Sequence, residues 1–216
     1  MKELTLIGAT GFVGTAIKNE ALSRGYKVNA ISRGASNSDE QNPNLNNIQA
    51  DVMNEGELAE ILKGTKNLIS AYNPGWRNPN MYEEQLVAYT KILNAAKKSN
   101  IGRILITGGA ATLFVKPGVT LLDTGALPDA IMGGVKSLAE FYYNSLKNEK
   151  EIDWVFFSPA GHLNPGDKTS NYRLGKDDLI VDANGESNIS VGDYAKAMID
   201  ELEQKNHHFE RFTIGY

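Results

Sequence analysis

Residues 4–14 read Leu-Thr-Leu-Ile-Gly-Ala-Thr-Gly-Phe-Val-Gly, and this stretch decides the fold. A short β-type run, Leu4 to Ile7, enters three glycines spaced G-x-x-G-x-x-G at Gly8, Gly11 and Gly14. Apolar residues at helical spacing follow at once, with Phe12, Val13, Ala16, Ile17 and Ala21 on one face. A strand that passes into a helix through such glycines is the geometry of a phosphate-binding turn. Gly8 relieves the tight turn of a Cβ clash, Gly11 lets backbone approach a pyrophosphate, and Gly14 permits close helix–strand packing. The helix N-terminus, with Thr10, Phe12 and Val13 around it, then offers unpaired N–H groups and a positive dipole end to phosphate oxygens. The same spacing also serves a tight turn that holds no ligand.

Outward from this motif, apolar bursts alternate with helix-period segments. Strands are expected at Lys27–Ser32, Asn47–Ala50, Asn67–Ala71, Arg103–Thr107 and Asp153–Phe157. Helices are expected at 55–63, Met81–Lys98 and Asp129–Lys147, with a polar loop over 34–47. This β-α-β-α rhythm predicts an α/β fold of the Rossmann type: a doubly wound, mostly parallel sheet with helices on both faces. Near the end, Asn184-Gly185 between 178–181 and 187–190 signals a hairpin, followed by a helix over Val191–Gln204 and a strand over Arg211–Ile214. Residues 1–216 are read as one domain, with about 159–190 forming a small cap on the substrate side.

The second strand ends Ser32-Arg33-Gly34, where an NAD site carries an acidic residue about 20 residues beyond the glycines. A guanidinium suits a 2′-phosphate instead, because its forked donors bind two oxygens at once. NADPH is therefore expected over NADH, with Asp51 and Val52 bracketing the adenine. Composition narrows the chemistry further. The chain has no cysteine, and its three histidines, His162, His207 and His208, form no metal-ligand pattern, so thiol and metal catalysis are not expected. A net charge of −4 without a basic stripe argues against nucleic acid or an anionic membrane as partner. No apolar run of about 18 residues occurs, so a cytoplasmic protein without a membrane span is expected.

Several later landmarks carry a resemblance. Arg103-Ile104-Leu105-Ile106-Thr107-Gly108-Gly109-Ala110, Ser158-Pro159-Ala160, Tyr172-Arg173-Leu174-Gly175 and Ile189-Ser190-Val191-Gly192-Asp193-Tyr194-Ala195 join the GATGFVG motif and Arg33. Together they resemble the atypical short-chain dehydrogenase/reductases of NmrA-like or NAD(P)H-flavin-reductase-like type, over essentially the whole chain. The resemblance implies NADPH, with FMN, FAD or a quinone as the species reduced. It also implies that Lys136 contacts the nicotinamide ribose. The departures are chemical: the family's Tyr-x-x-x-Lys has Met132 in the tyrosine position, and its serine falls at Gly108 or Gly109. Neither methionine nor glycine can protonate an alkoxide, which removes a general acid worth about 10²–10⁴-fold.

The wall of the site is expected at the carboxyl ends of the strands. Candidates are Tyr72, Asn73 and Pro74 after the fourth strand, Gly108 and Gly109 after the fifth, and Pro159 to His162 after the sixth, with Ala71, Tyr72, Thr107, Gly108, Gly109, Pro159 and Ala160 also expected at the cofactor. Lys136, His162 and Tyr72 are the candidate catalytic residues, and Trp76 and Arg77 are left open between pocket and loop packing. Hydride transfer to a flat conjugated acceptor needs no built-in acid, so flavin or quinone reduction leads. The alternatives are a non-catalytic NADP(H) sensor with a protein partner, and an epimerase, which needs Tyr142, Tyr143 or Tyr172 at the nicotinamide.

Overall fold

A computed structural model describes residues 2–34 and 42–216; part of the polar loop expected over 34–47 thus lies outside the described residues. In chain order the elements are β1 (Glu3–Ile7), α1 (Phe12–Ser23), β2 (Lys27–Ser32), β3 (Leu45–Gln49), α2 (Glu55–Leu62), β4 (Leu68–Ser70), α3 (Met81–Lys98) and β5 (Arg103–Thr107). An excursion then carries β6 (Phe114–Lys116) and β7 (Val119–Thr120) before α4 (Met132–Glu140). The chain closes with β8 (Asp153–Ser158), β9 (His162–Asn164), β10 (Arg173–Gly175), β11 (Asn188–Ser190), α5 (Val191–Gln204) and β12 (Glu210–Gly215).

Eight strands form one sheet in the order β10-β12-β8-β5-β4-β1-β2-β3. Every neighbouring pair is parallel except β10–β12 at the edge. Strand order reverses between β1 and β4, so successive crossovers leave on opposite faces and open a crevice at their carboxyl ends. Side-chain alternation builds two cores. On β8, Trp154 and Phe156 join the core under α2 and α3, while Val155 and Phe157 join the core under α1 and α5. In the second core the Phe157 ring stacks 4.0 Å from Phe212 and 4.4 Å from Tyr194. These stacks fix the sheet end from which Pro159 and Ala160 emerge.

Two expectations change. The segment read as one helix over 129–147 is helical throughout but varies in pitch: 3-10 over Asp129–Ile131, α4, a π turn over Phe141–Ser145 and 3-10 again to Asn148. The turn at Asn184-Gly185 forms, with Gly185 at φ +83 and the Asp182 carboxylate accepting from Asn184 N and Glu186 N. No hairpin grows from it. Leu179 N donates to Phe114 O, whereas β11 pairs in parallel with β9, placing Asn188 beside His162. No helix among the described residues is long and apolar enough to cross a membrane.

Candidate cofactor and acceptor site

The turn between β1 and α1 separates the three glycines by function. Gly8 has φ +79, and a Cβ there would lie 2.5 Å from Ala71 O; a Cβ on Gly14 would lie 2.1 Å from Gly8 O. Both are closed by the protein itself. A Cβ on Gly11 would meet only Gly8 O, at 3.5 Å, and would otherwise project into open space. Packing therefore explains Gly8 and Gly14 but not Gly11. Gly11 is also the N-cap of α1, without the side-chain cap that Asn54 gives α2 and Ser190 gives α5, and no acidic residue occupies the first turn. An uncapped helix start beside a cradle that a Cβ would fill fits a pyrophosphate.

Two cavities meet at this point. One, of about 340 Å³, lies over the ends of β1, β2 and β3 and is lined by Gly8, Thr10, Arg33, Ala50 and Val52. The other, of about 510 Å³, lies between the start of α1, including Phe12 and Val13, and the ends of β4, β5 and β8. They share Gly11, Ala71, Tyr72 and Asn73, so they form one trough bent over the glycine turn. No carboxylate among the described residues lines the smaller cavity. Arg33 crosses its mouth and donates from Nη2 to Pro74 O at 3.3 Å. Asp51 does not line it: its carboxylate turns back to accept from Met53 N at 2.9 Å, leaving Ala50 and Val52 as the lining. Val52 thus lines the cavity at the end where adenine is expected, and the Asp51 side chain does not.

The larger cavity is aromatic and apolar. Tyr72 is buried, with its ring edge-on to Tyr89 at 6.1 Å, and Tyr89 donates its hydroxyl to Tyr72 O at 2.9 Å. Burial pushes both phenols above their ordinary value, so both stay neutral at physiological pH. Thr107, Gly108, Gly109, Pro159 and Ala160 lie along this cavity as expected from their strand ends. Of the two positions where the serine falls, Gly108 has a steric bar, because a Cβ there would come within 2.7 Å of Phe156 Cε1, whereas a Cβ on Gly109 would meet only Leu138 Cδ2, at 3.3 Å. The Phe156 ring occupies the space that such a side chain would need.

Two expected site residues fall elsewhere. Lys136 is exposed and lines neither cavity; Ile131 and Val135, one position earlier and four apart, face the larger cavity with Leu138. The phase of α4 thus turns the lysine to solvent, and its nicotinamide-ribose contact is withdrawn. His162 begins β9, where its backbone N donates to Ser187 O at 2.8 Å. Gly161 and Leu163 on either side line the cavity while the His162 side chain is exposed, so the expected proton-donating role has no geometry behind it. The sequence reading also missed Leu121 and Leu127 from the excursion after β5, and did not place Trp76, which lines the cavity. Isolated large apolar residues within polar loops were the available signal.

Residues 8–205 match the family model described as NAD(P)H-binding. The chain is 52% identical to a Bacteroides thetaiotaomicron protein provisionally named an epimerase, with TM-score 0.94, over 100% of this chain and 97% of that one. It is 30% identical to SP1627 of Streptococcus pneumoniae TIGR4, provisionally named an NADH-flavin reductase, with TM-score 0.86, over 100% and 99%. It is also 37% identical over 216 residues to the uncharacterized protein YwnB of Bacillus subtilis (strain 168), covering 98% of this chain and 97% of the relative. The chain belongs to the NAD(P)H-binding family of Rossmann-like domains.

Proposed function

We propose that the protein is an NADPH-dependent reductase of a flat, conjugated acceptor, a free flavin or a quinone. The carrying observation is the larger cavity, whose described lining contains no Asp, Glu, Lys, Arg or His, and whose two tyrosines have raised phenol pKa values. NADPH held by Gly11, the start of α1 and Arg33 would supply a hydride for a two-electron reduction of the acceptor, with the accompanying proton coming from solvent. The chain's own work is then to bind, orient and exclude water. The start of α1 takes the pyrophosphate, and Arg33 supplies the charge for a 2′-phosphate. Gly108 and Gly109 bring bare backbone to the cavity wall, so a planar ring can lie close to it.

The provisional name of the Bacteroides relative favours an epimerase reading, which requires a base beside the nicotinamide. The three tyrosines expected to supply one do not line the cavity, and the two that do, Tyr72 and Tyr89, have raised phenol pKa values. Tyr142 is buried against Phe156, Tyr143 is exposed, and Tyr172 donates its hydroxyl to Asp200 at 3.2 Å. NADPH oxidation assayed with menadione, riboflavin and FMN tests the proposal. Turnover above a heat-killed control is expected with at least one acceptor. Tight NADPH binding with none would transfer the site to a sensor.

A further inference from the structure

The same cavity carries a statement about what the acceptor is. Its wall after β4 ends in Trp76, an aromatic lining residue that is 56% exposed. The indole lies over α4 at Gly134, where a Cβ would come within 3.0 Å of Trp76 Cζ3 and 2.5 Å of Met81 Cε. A larger residue at 134 would push the ring away, so the helix is shaped to keep it there. Leu121, Leu127 and Ile131 add apolar surface from the excursion after β5.

Charge is absent from this half of the trough. Arg77 and Lys136, adjacent in sequence to lining residues, are exposed and line neither cavity. Arg211 donates to Thr112 O and Oγ1 from behind the wall but is itself paired with Asp177, and the excursion's charged residues, Lys116, Asp123 and Asp129, line neither cavity. A phosphate buried without a cation or clustered N–H donors is strongly disfavoured, and the N–H donors at the start of α1, where the two cavities meet, are the ones assigned above to the cofactor's pyrophosphate. We propose that the acceptor is an uncharged planar ring system, a quinone or an unphosphorylated flavin, that the lack of a lining cation sets this preference, and that Trp76 is the residue that stacks on the ring. The inference rests on reading the protein as an NADPH-dependent reductase.

Riboflavin and FMN share one ring and differ by the phosphate, so the pair isolates the inference. Flavin fluorescence is titrated with the full chain saturated with NADP⁺, and kcat/KM is measured with NADPH. Riboflavin is expected to bind and turn over about ten-fold better than FMN. Trp76→Leu is expected to weaken riboflavin about ten-fold while the Kd for NADPH changes less than about two-fold. FMN equal to or better than riboflavin would overturn the inference and leave the reductase reading intact. An FMN preference that disappears in Arg77→Ala would overturn it by locating a cation that serves the site. Riboflavin preference in binding without turnover on any acceptor would instead uphold the ligand assignment and remove the reductase reading.

Discussion

The two halves of the trough are built by opposite means. The cofactor half is made mostly of contiguous backbone: one turn, one helix start and Arg33 at the end of the next strand. The acceptor half gathers side chains from loops after β4, β5 and β8 and from α4. On the proposed reading, the first half works by what is left out, a Cβ and a cap. The second works by which faces of distant segments turn inward. A common hydride donor can thus be held by a fixed turn while the acceptor wall varies around it.

The sharpest way to break this contrast is to add a side chain at each end of the glycine turn. Gly14→Val should cost about 3 kcal/mol or more, because backbone rather than a movable side chain stands 2.1 Å away. The melting temperature should then fall by roughly 10 °C. Gly11→Val should melt within about 4 °C of the parent yet bind NADPH about 100-fold more weakly in a calorimetric titration. Equal destabilisation by both variants would mean that Gly11 is only a turn residue.

Arg33→Ala comes next. Loss of a charge-assisted contact to the 2′-phosphate should weaken NADPH about 10–100-fold while NADH changes less than about two-fold. Parallel weakening of both cofactors would remove the selectivity assigned to Arg33.

A smaller effect is expected at Asp193, beyond the acceptor half. Burial opposes its charge, but hydrogen bonds from Thr169, Ser170 and Tyr216 outweigh that and hold the carboxyl below its ordinary value. Its stabilisation is present above the unfolded pKa of about 3.9 and lost as pH falls through the lower folded value. Asp193→Asn should cost about 2 kcal/mol at neutral pH, and the gap from the parent should close in acid unfolding curves. Smallest of all, Lys136→Ala and His162→Ala should leave kcat/KM within about two-fold, since neither side chain lines the trough. A loss of 100-fold in either would restore the role that its placement denies.

Legibility in the sequence follows the same division. The succession of strands and helices, the covering of both sheet faces and the glycine turn could be read because alternation and spacing are local properties of β1, β5, β8 and α1. Lys136 misled because a family position was carried onto α4 without its helical phase, and one residue of offset exchanges solvent for cavity. His162 looked like a loop residue because its partner, Asn188, is distant in sequence and parallel pairing leaves no local trace. The hairpin expectation failed for the related reason that a turn signal at Asn184-Gly185 fixes the turn but not the partners of its flanks. Trp76 belongs to a segment without periodicity, and only the small residue at Gly134 explains where its ring lies.

The central claim is that one dinucleotide occupies both cavities across Gly11, with its 2′-phosphate end at Arg33. Calorimetric titration of the full chain with NADPH and with NADH tests it most directly. One site per chain, with NADPH favoured about ten-fold or more over NADH, is the expected result. No heat from either cofactor, or a preference for NADH, would contradict it.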